Sequence, residues 1–220
     1  MRAVLSFALL LCTASFAAPA AAQGFIAPVV IISPQQPSFV ITTDGERVEG
    51  TIATYLVANG MRSLTLKTAS GEKLRYKAAD LKEVGNKLGG LAKFGTMSSQ
   101  IDSKWDLFTA DWSEMAEREW VYFRQVLMPN GKNYALLQQV NPGWDASIKV
   151  YNIDPEESEE YFVSKDGAAA MKVDKKNYKK SFAALFDGCA AVTESDAAKK
   201  PKIKEFAVAT YVFNKECAAN

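Results

Sequence analysis

The sequence predicts an α+β fold: a small antiparallel β barrel-like unit of the SH3-like kind, a second antiparallel β sheet, and a C-terminal helix pair. Residues 39–84 contain four β-type runs in which apolar and polar residues alternate, and residues 120–173 contain a second such set. Alternation of this kind is typical of half-buried strands. Near the C terminus, Tyr178, Phe182 and Leu185 instead recur at helical spacing, which predicts an amphipathic helix.

The first 22 residues have the composition of a signal peptide. Arg2 supplies a positive charge, residues 4–11 are mainly apolar, and small residues precede Gln23. We therefore predict cleavage before Gln23 and export to the periplasm or the cell surface. The apolar run is shorter than the roughly 18 residues that a membrane helix needs, and no later run reaches that length. We expect no transmembrane segment in the mature chain.

Residues 23–38 are predicted to form an extended arm. They are rich in apolar residues but contain three prolines. Because proline has no N–H to donate to a sheet, the segment suits an arm or an edge strand better than a central strand. We expect the arm to pack on its own protein, and docking onto a partner protein is the alternative.

Residues 39–84 are assigned to the barrel-like unit because their turns suit tight hairpins. Asn, Asp and Gly tolerate the positive φ angles that such turns require. The turn dipeptides are Asp44-Gly45, Asn59-Gly60 and Ser70-Gly71. Residues 78–81 then predict a single helical turn before a short last strand at 82–84.

Residues 85–119 are predicted to combine a glycine-rich, flexible connection over 85–99 with an amphipathic helix, or with two short helical pieces that break near Ala110. The apolar residues of that helix recur every three or four positions: Ile101, Trp105, Phe108, Trp112 and Met115. Such a face most simply packs into the core. The alternative is a binding surface formed by Trp105, Phe108 and Trp112.

Residues 120–173 are predicted to form an antiparallel β meander with turns at 129–131, 141–143 and 166–167. An acidic segment at 154–160 lacks the pattern of a calcium loop, so we expect a solvated loop there.

Residues 174–220 are predicted to form the C-terminal helices, one ending near Asp187-Gly188 and the last spanning 203–217. The face of the first helix opposite its apolar residues is basic and carries Lys175, Lys176, Lys179 and Lys180. It is either a solvated surface or a contact with anionic lipid or a polyanion.

Cys189 and Cys217 are the two cysteines that remain after the predicted cleavage. A pair of cysteines in an exported chain predicts a disulfide, because the compartment is oxidising. Closing this loop of 29 residues would stabilise the fold by about 3.6 kcal/mol through the lost entropy of the unfolded chain. Two buried free thiols are the alternative.

The chain contains no histidine, which excludes the usual forms of several chemistries. These are Ser-His-Asp and Cys-His nucleophilic catalysis and histidine-ligated zinc, iron or copper sites. We expect no cofactor and no metal. Without Arg2 the basic and acidic residues both number 25, so nothing in the charge favours nucleic acid as a partner. Carboxylate-pair hydrolysis remains compatible with the composition.

Six short motifs resemble, in order, a family of exported Gram-negative bacterial proteins without an established activity. They are GERVEGTI at 45–52, YKAADLKEV at 76–84, VLMPNGKNYALL at 126–137, EEYFVSKDG at 159–167, FAALFDGC at 182–189 and YVFNKEC at 211–217. The resemblance implies a periplasmic or cell-envelope location and a β-rich domain with C-terminal helices. It implies no catalytic residues.

These observations favour a non-enzymatic binding or structural module of the cell envelope. It would bind an envelope protein or a glycan through sheet edges and aromatic surface. The alternatives are a carboxylate-dependent glycan hydrolase and a membrane-surface protein that uses the basic helix face.

Overall fold

The structure, a computed structural model, describes residues 24–30, 32–99, 113–152 and 160–218. The predicted signal peptide and the candidate binding surface of Trp105, Phe108 and Trp112 lie outside these residues. Nearly all of the acidic segment, up to residue 159, also lies outside them.

Five strands and one helical turn occupy residues 37–87. They are β1 (Pro37–Thr42), β2 (Arg47–Val57), β3 (Met61–Lys67), β4 (Lys73–Lys77), a 3₁₀ turn (Ala78–Asp80) and β5 (Leu81–Lys87). The predicted hairpin turns are confirmed by positive φ angles at Gly45, Asn59, Gly60 and Gly71. Glycine and asparagine adopt this conformation at low cost, so they determine where the strands end. The helical turn is also as predicted.

Five further strands follow. They are β6 (Trp120–Leu127), β7 (Tyr134–Gln139), β8 (Ile148–Asn152), β9 (Tyr161–Lys165) and β10 (Met171–Val173). Gly131, Gly143 and Gly167 have positive φ in the connecting turns, in agreement with the predicted meander.

All ten strands belong to one antiparallel sheet, in the order β10-β9-β8-β7-β6-β5-β1-β2-β3-β4. Met61 of β3 also pairs with Leu136 of β7. This pairing closes the six strands from β7 to β3 into a barrel, with β4 outside the ring and β8 to β10 extending from β7. Together with the helices, the barrel gives the α+β fold that the sequence predicts.

The structure differs from the predicted separate second sheet, because β6 pairs directly with β5. Val84 lies opposite Phe123, and Gly85 lies opposite Tyr122. An unpaired β5 would expose a row of backbone donors and acceptors, and β6 satisfies them. The barrel therefore closes with two strands, β6 and β7, that lie outside residues 39–84.

The barrel interior is filled by branched aliphatic side chains that alternate along the strands. The most buried members are Val40, Ile52, Leu64, Leu66, Leu81 and Val84. The neighbour of Val84, Gly85, faces the other way, beneath the ring of Phe39. A Cβ atom at Gly85 would lie 2.2 Å from Cε1 of that ring. Glycine is required there because the aromatic ring packs directly on the strand backbone.

Helices flank the sheet. They are α1 (Gly90–Ser99), α2 (Ser113–Glu117), α3 (Tyr178–Phe186), α4 (Ala190–Thr193), α5 (Asp196–Lys199) and α6 (Phe206–Val212). A 3₁₀ turn (Ile203–Glu205) precedes α6, and a π-helical turn (Phe213–Cys217) continues it, so the predicted last helix is present in three parts.

The prediction of a flexible connection over residues 85–99 is wrong, because β5 and α1 occupy most of it. Ala92 of α1 packs in a buried cluster with Val29, Leu88 and Val121. The glycines lower the helix propensity of this segment, and the helix is held by the buried side chains of Ala92 and Thr96, while Leu91 and Phe94 are exposed.

The C-terminal helices pack an aromatic core against β8, β9 and β10. Phe206 of α6 lies 5.4 Å from Tyr178 and 6.4 Å from Phe186 between ring centroids. Cys189 and Cys217 form the predicted disulfide, with Cα atoms 5.7 Å apart. The bond connects the π-helical turn to the residue that precedes α4.

The N-terminal arm lies across both halves of the sheet. At one end, the ring of Phe25 packs in the C-terminal core, 5.3 Å from Phe206 and 5.7 Å from Trp144. At the other end, the Ser33 N–H donates to Oδ1 of Asn86, and Nδ2 of Asn86 donates to the Ser33 carbonyl. The arm thus packs on its own protein and connects the C-terminal core to the barrel.

Candidate functional site

A cavity of about 250 Å³ lies where the arm crosses the junction of β3 and β7. We call it the seam cavity. It is lined by Val29, Val30, Ile32, Tyr55, Val57, Gly60, Met61, Phe123, Leu136, Leu137, Gln138 and Asn152. The lining is mainly aliphatic, and it combines the arm, the β2–β3 hairpin and the strands β6 to β8.

The cavity exists because β3 and β7 are joined by a single pair, Met61 with Leu136. The other strand pairs of the ring share at least five residue pairs each. The register of β2 against β3 also shifts between Leu56 and Val57. Where backbone pairing stops, side chains and the arm enclose the remaining space.

Gly60 brings the β2–β3 hairpin close to β7. Its φ angle is +95°, and a Cβ atom there would lie 2.2 Å from Cδ2 of Leu137. A side chain at this position would be strained by its backbone and would collide with the cavity wall. The glycine that forms the hairpin turn therefore also shapes the cavity.

Gln138 provides a polar group in this apolar wall. Its side chain is 5% exposed, and Oε1 accepts the N–H of Val29 at 2.9 Å. That bond orients the amide, because Val29 can only donate. Nε2 is buried and has no hydrogen-bond partner among the described residues. A buried donor without a partner costs about 1–3 kcal/mol, so a ligand that carries an acceptor would be stabilised here.

Exposed apolar residues lie beside the cavity at the end of β2. Leu56 is 57% exposed and Val57, which also lines the cavity, is 55% exposed. Tyr55, also part of the lining, is partly exposed. Exposed apolar side chains at the edge of a cavity are typical of a binding site.

The seam cavity is suited to binding rather than to acid–base catalysis, since no charged side chain lines it. Three other clefts in the described chain are lined by basic residues, without Asp or Glu. The carboxylates of Glu83 and Asp145 both pair with Arg124, at 3.3 Å each. Among the described residues, no three His, Cys, Asp or Glu side chains come together as a metal site.

The sequence identified part of the structural framework but not this site. The predicted disulfide of Cys189 and Cys217 is confirmed, and it lies in the C-terminal core, away from the lining of the seam cavity. Gln138 and Gln139 are two consecutive polar residues at the end of an apolar strand, and both are buried. In the sequence, that pair is the local pattern that could have indicated a polar side chain in the wall of the cavity.

Comparisons of the chain with protein-family models, with curated proteins and with solved structures find no significant match. The family resemblance of the six motifs therefore stays a prediction. Within the described residues, every helix is too short or too polar to cross a bilayer.

Proposed function

We propose that the protein is an exported, non-catalytic binding module of the cell envelope that holds a small apolar molecule in the seam cavity. The observation that carries this proposal is a cavity of about 250 Å³ lined mainly by aliphatic residues together with Gln138 and Asn152. Nε2 of Gln138 is a buried donor without a partner among the described residues. Export is supported by the composition of residues 1–22. The relation of residues 39–84 to SH3-like barrels is a further hypothesis, supported by their five strands and the helical turn before the last of them.

The size of the cavity limits the ligand. An engineered apolar cavity of about 150 Å³ in another protein binds benzene. The seam cavity is larger, at about 250 Å³, so it has room for a bicyclic group or for a ring with a short chain. The Gln138 donor adds a preference for a carbonyl or ether oxygen on that group.

A matched pair of probes tests this proposal: 1-indanone, which is bicyclic and carries one carbonyl, and indane, which lacks it. We expect both to shift the amide resonances of Leu137 and Val57 in NMR titrations of the mature protein. We expect 1-indanone to bind about fivefold more tightly, which corresponds to a net hydrogen bond of about 1 kcal/mol.

The variant Gln138→Met keeps a side chain of similar length without the donor. The ratio of the 1-indanone affinity to the indane affinity should fall to about one. A general change in the arm would alter both affinities alike and would leave this ratio unchanged. Gln35→Met, at an exposed position, is the matched control and should keep the preference. Failure of both probes to perturb the cavity residues would refute the proposed function.

The glycan hydrolase alternative gains no support from the seam cavity or from the three basic clefts named above, since Asp and Glu do not line them. Retaining and inverting glycosidases both need two carboxyl groups that face the same bond.

A further inference from the structure

A second cleft, of about 290 Å³, lies where the start of α3 meets the segment before α6. We call it the basic cleft. It is lined by Lys175, Tyr178, Lys179, Pro201, Lys202, Ile203 and Lys204. Its elements differ from those of the seam cavity, so the two sites are independent.

Local structure brings the four lysines together. Lys179 lies in the first turn of α3, and Lys175 lies in the turn that leads into it. Both line the cleft. Lys202 and Lys204 flank Ile203 at the 3₁₀ turn. The ring of Phe206 packs on Tyr178, with centroids 5.4 Å apart, and holds this turn against α3.

The positive charge of the basic cleft is not neutralised by ion pairs within the described chain. The four lysines are exposed, and none lies within 4.0 Å of a described carboxylate. Asp174 accepts the N–H groups of Lys176 and Asn177. Glu205 is the acidic residue that acts on Tyr178. Four cations against these two carboxylates favour an anionic ligand.

Tyr178 lines the same cleft and carries a buried hydroxyl donor. Its side chain is 1% exposed, and its hydroxyl has no hydrogen-bond partner in the part of the chain that the structure describes. Burial, with a smaller contribution from Glu205, raises the pKa of the Tyr178 phenol above its ordinary value. The hydroxyl therefore stays protonated at neutral pH and can donate to an oxyanion.

We propose that the basic cleft binds a phosphate group, with the lysines supplying charge and the Tyr178 hydroxyl a directed hydrogen bond. Phosphate oxygens are strong acceptors and bind lysine as a point charge. The volume of about 290 Å³ equals the liquid volume of about ten water molecules, at roughly 30 Å³ each. The cleft thus has room for the phosphate and for part of the molecule that bears it, which is either a soluble compound or a lipid headgroup.

Inorganic pyrophosphate is the first probe, titrated into the mature protein and followed by calorimetry and by the amide resonances of Lys179 and Ile203. We expect saturable binding that weakens as salt is added. Tyr178→Phe retains the buried ring and removes only the hydroxyl. It should weaken pyrophosphate binding about tenfold, as expected for a hydrogen bond to a charged group.

Two double variants with the same change in charge distinguish a specific phosphate site from a generally basic surface. The double variant Lys179→Gln/Lys202→Gln should abolish binding, whereas Lys67→Gln/Lys73→Gln, which changes two exposed lysines on β3 and β4, should leave it nearly unchanged. Equal losses in the two double variants, or an unchanged affinity in Tyr178→Phe, would overturn the proposal. Circular dichroism of each variant confirms that it is folded.

Flotation with vesicles of phosphatidylglycerol, and with phosphatidylcholine as the neutral control, identifies the source of the phosphate. Binding to the anionic vesicles that depends on Tyr178 assigns the site to a lipid headgroup. Binding of pyrophosphate without flotation assigns it to a soluble compound. If neither probe binds, or if vesicle binding is insensitive to Tyr178→Phe, the proposal fails.

Discussion

Asn214 is a buried residue whose side chain makes four hydrogen bonds. Its Nδ2 donates to the carbonyl oxygens of Trp144 and Ile148, at 2.7 and 2.8 Å. Its Oδ1 accepts the N–H groups of Ser147 and Ile148, at 3.2 and 2.8 Å. An amide side chain offers two donor hydrogens and two acceptor positions, so its hydrogen-bonding capacity is fully used. Asn214 therefore fastens the last helix to the start of β8.

Asn214→Leu should lower the free energy of unfolding by about 3 kcal/mol, because it leaves buried backbone groups without partners. The measurement is urea unfolding of the purified mature protein. Glu216→Leu, two residues away at an exposed position, is the control and should change stability by less than about 0.5 kcal/mol. A loss no larger than that of the control would show that the four bonds contribute nothing net.

At the scale of the elements, the two ends of the sheet are poorly suited to pairing with another chain. The terminal strand β4 carries exposed Lys73, Arg75 and Lys77. Charged residues on an edge strand oppose pairing with another strand. At the other end, β10 is only three residues long. These features favour the seam cavity over the sheet edges as the proposed binding site.

The disulfide stabilises the fold of the C-terminal helices because it restricts the conformations of the unfolded chain. Replacing Cys189 and Cys217 by alanine should lower the free energy of unfolding by about 3.6 kcal/mol, as the entropy of a 29-residue loop predicts. Urea unfolding measures this loss. A reducing agent should destabilise the native protein by a similar amount and leave the double variant unaffected. An equal response of both proteins to the reducing agent would contradict the prediction.

At the scale of the whole molecule, the barrel and the C-terminal core are parts of one structure. The sheet continues from β5 into β6 through five residue pairs. The arm adds a second connection, because Phe25 packs in the C-terminal core while Ser33 binds Asn86 beside the barrel. We therefore expect the two halves to unfold together.

A destabilising substitution in the barrel tests this cooperativity. Leu66 is fully buried, and Leu66→Ala should cost about 2–5 kcal/mol. Urea midpoints followed by the amide resonances of Val84 in the barrel and Val163 in β9 should coincide in the native protein. The substitution should lower both midpoints equally. A shift at Val84 alone would show that the halves are separate folding units.

Much of the secondary structure was predictable because its signals are local. The positive φ angles at Asn59 and Gly60 follow from the residue types themselves, and strand alternation and helical spacing are read within a few residues. The disulfide followed from the two cysteines that remain after the predicted cleavage of an exported chain. Helix α1 was missed because its burial against Val29 and Val121 depends on distant parts of the chain.

The sequence by itself determined the turns, most of the strands, the C-terminal helices and the absence of imidazole chemistry. The tertiary structure alone decided that the barrel closes through Met61 and Leu136, which are 75 positions apart in the sequence. It also decided that the arm crosses this junction and leaves a cavity with Gln138 in its wall. No local pattern encodes such contacts, since they depend on which distant surfaces bury each other when the sheet closes.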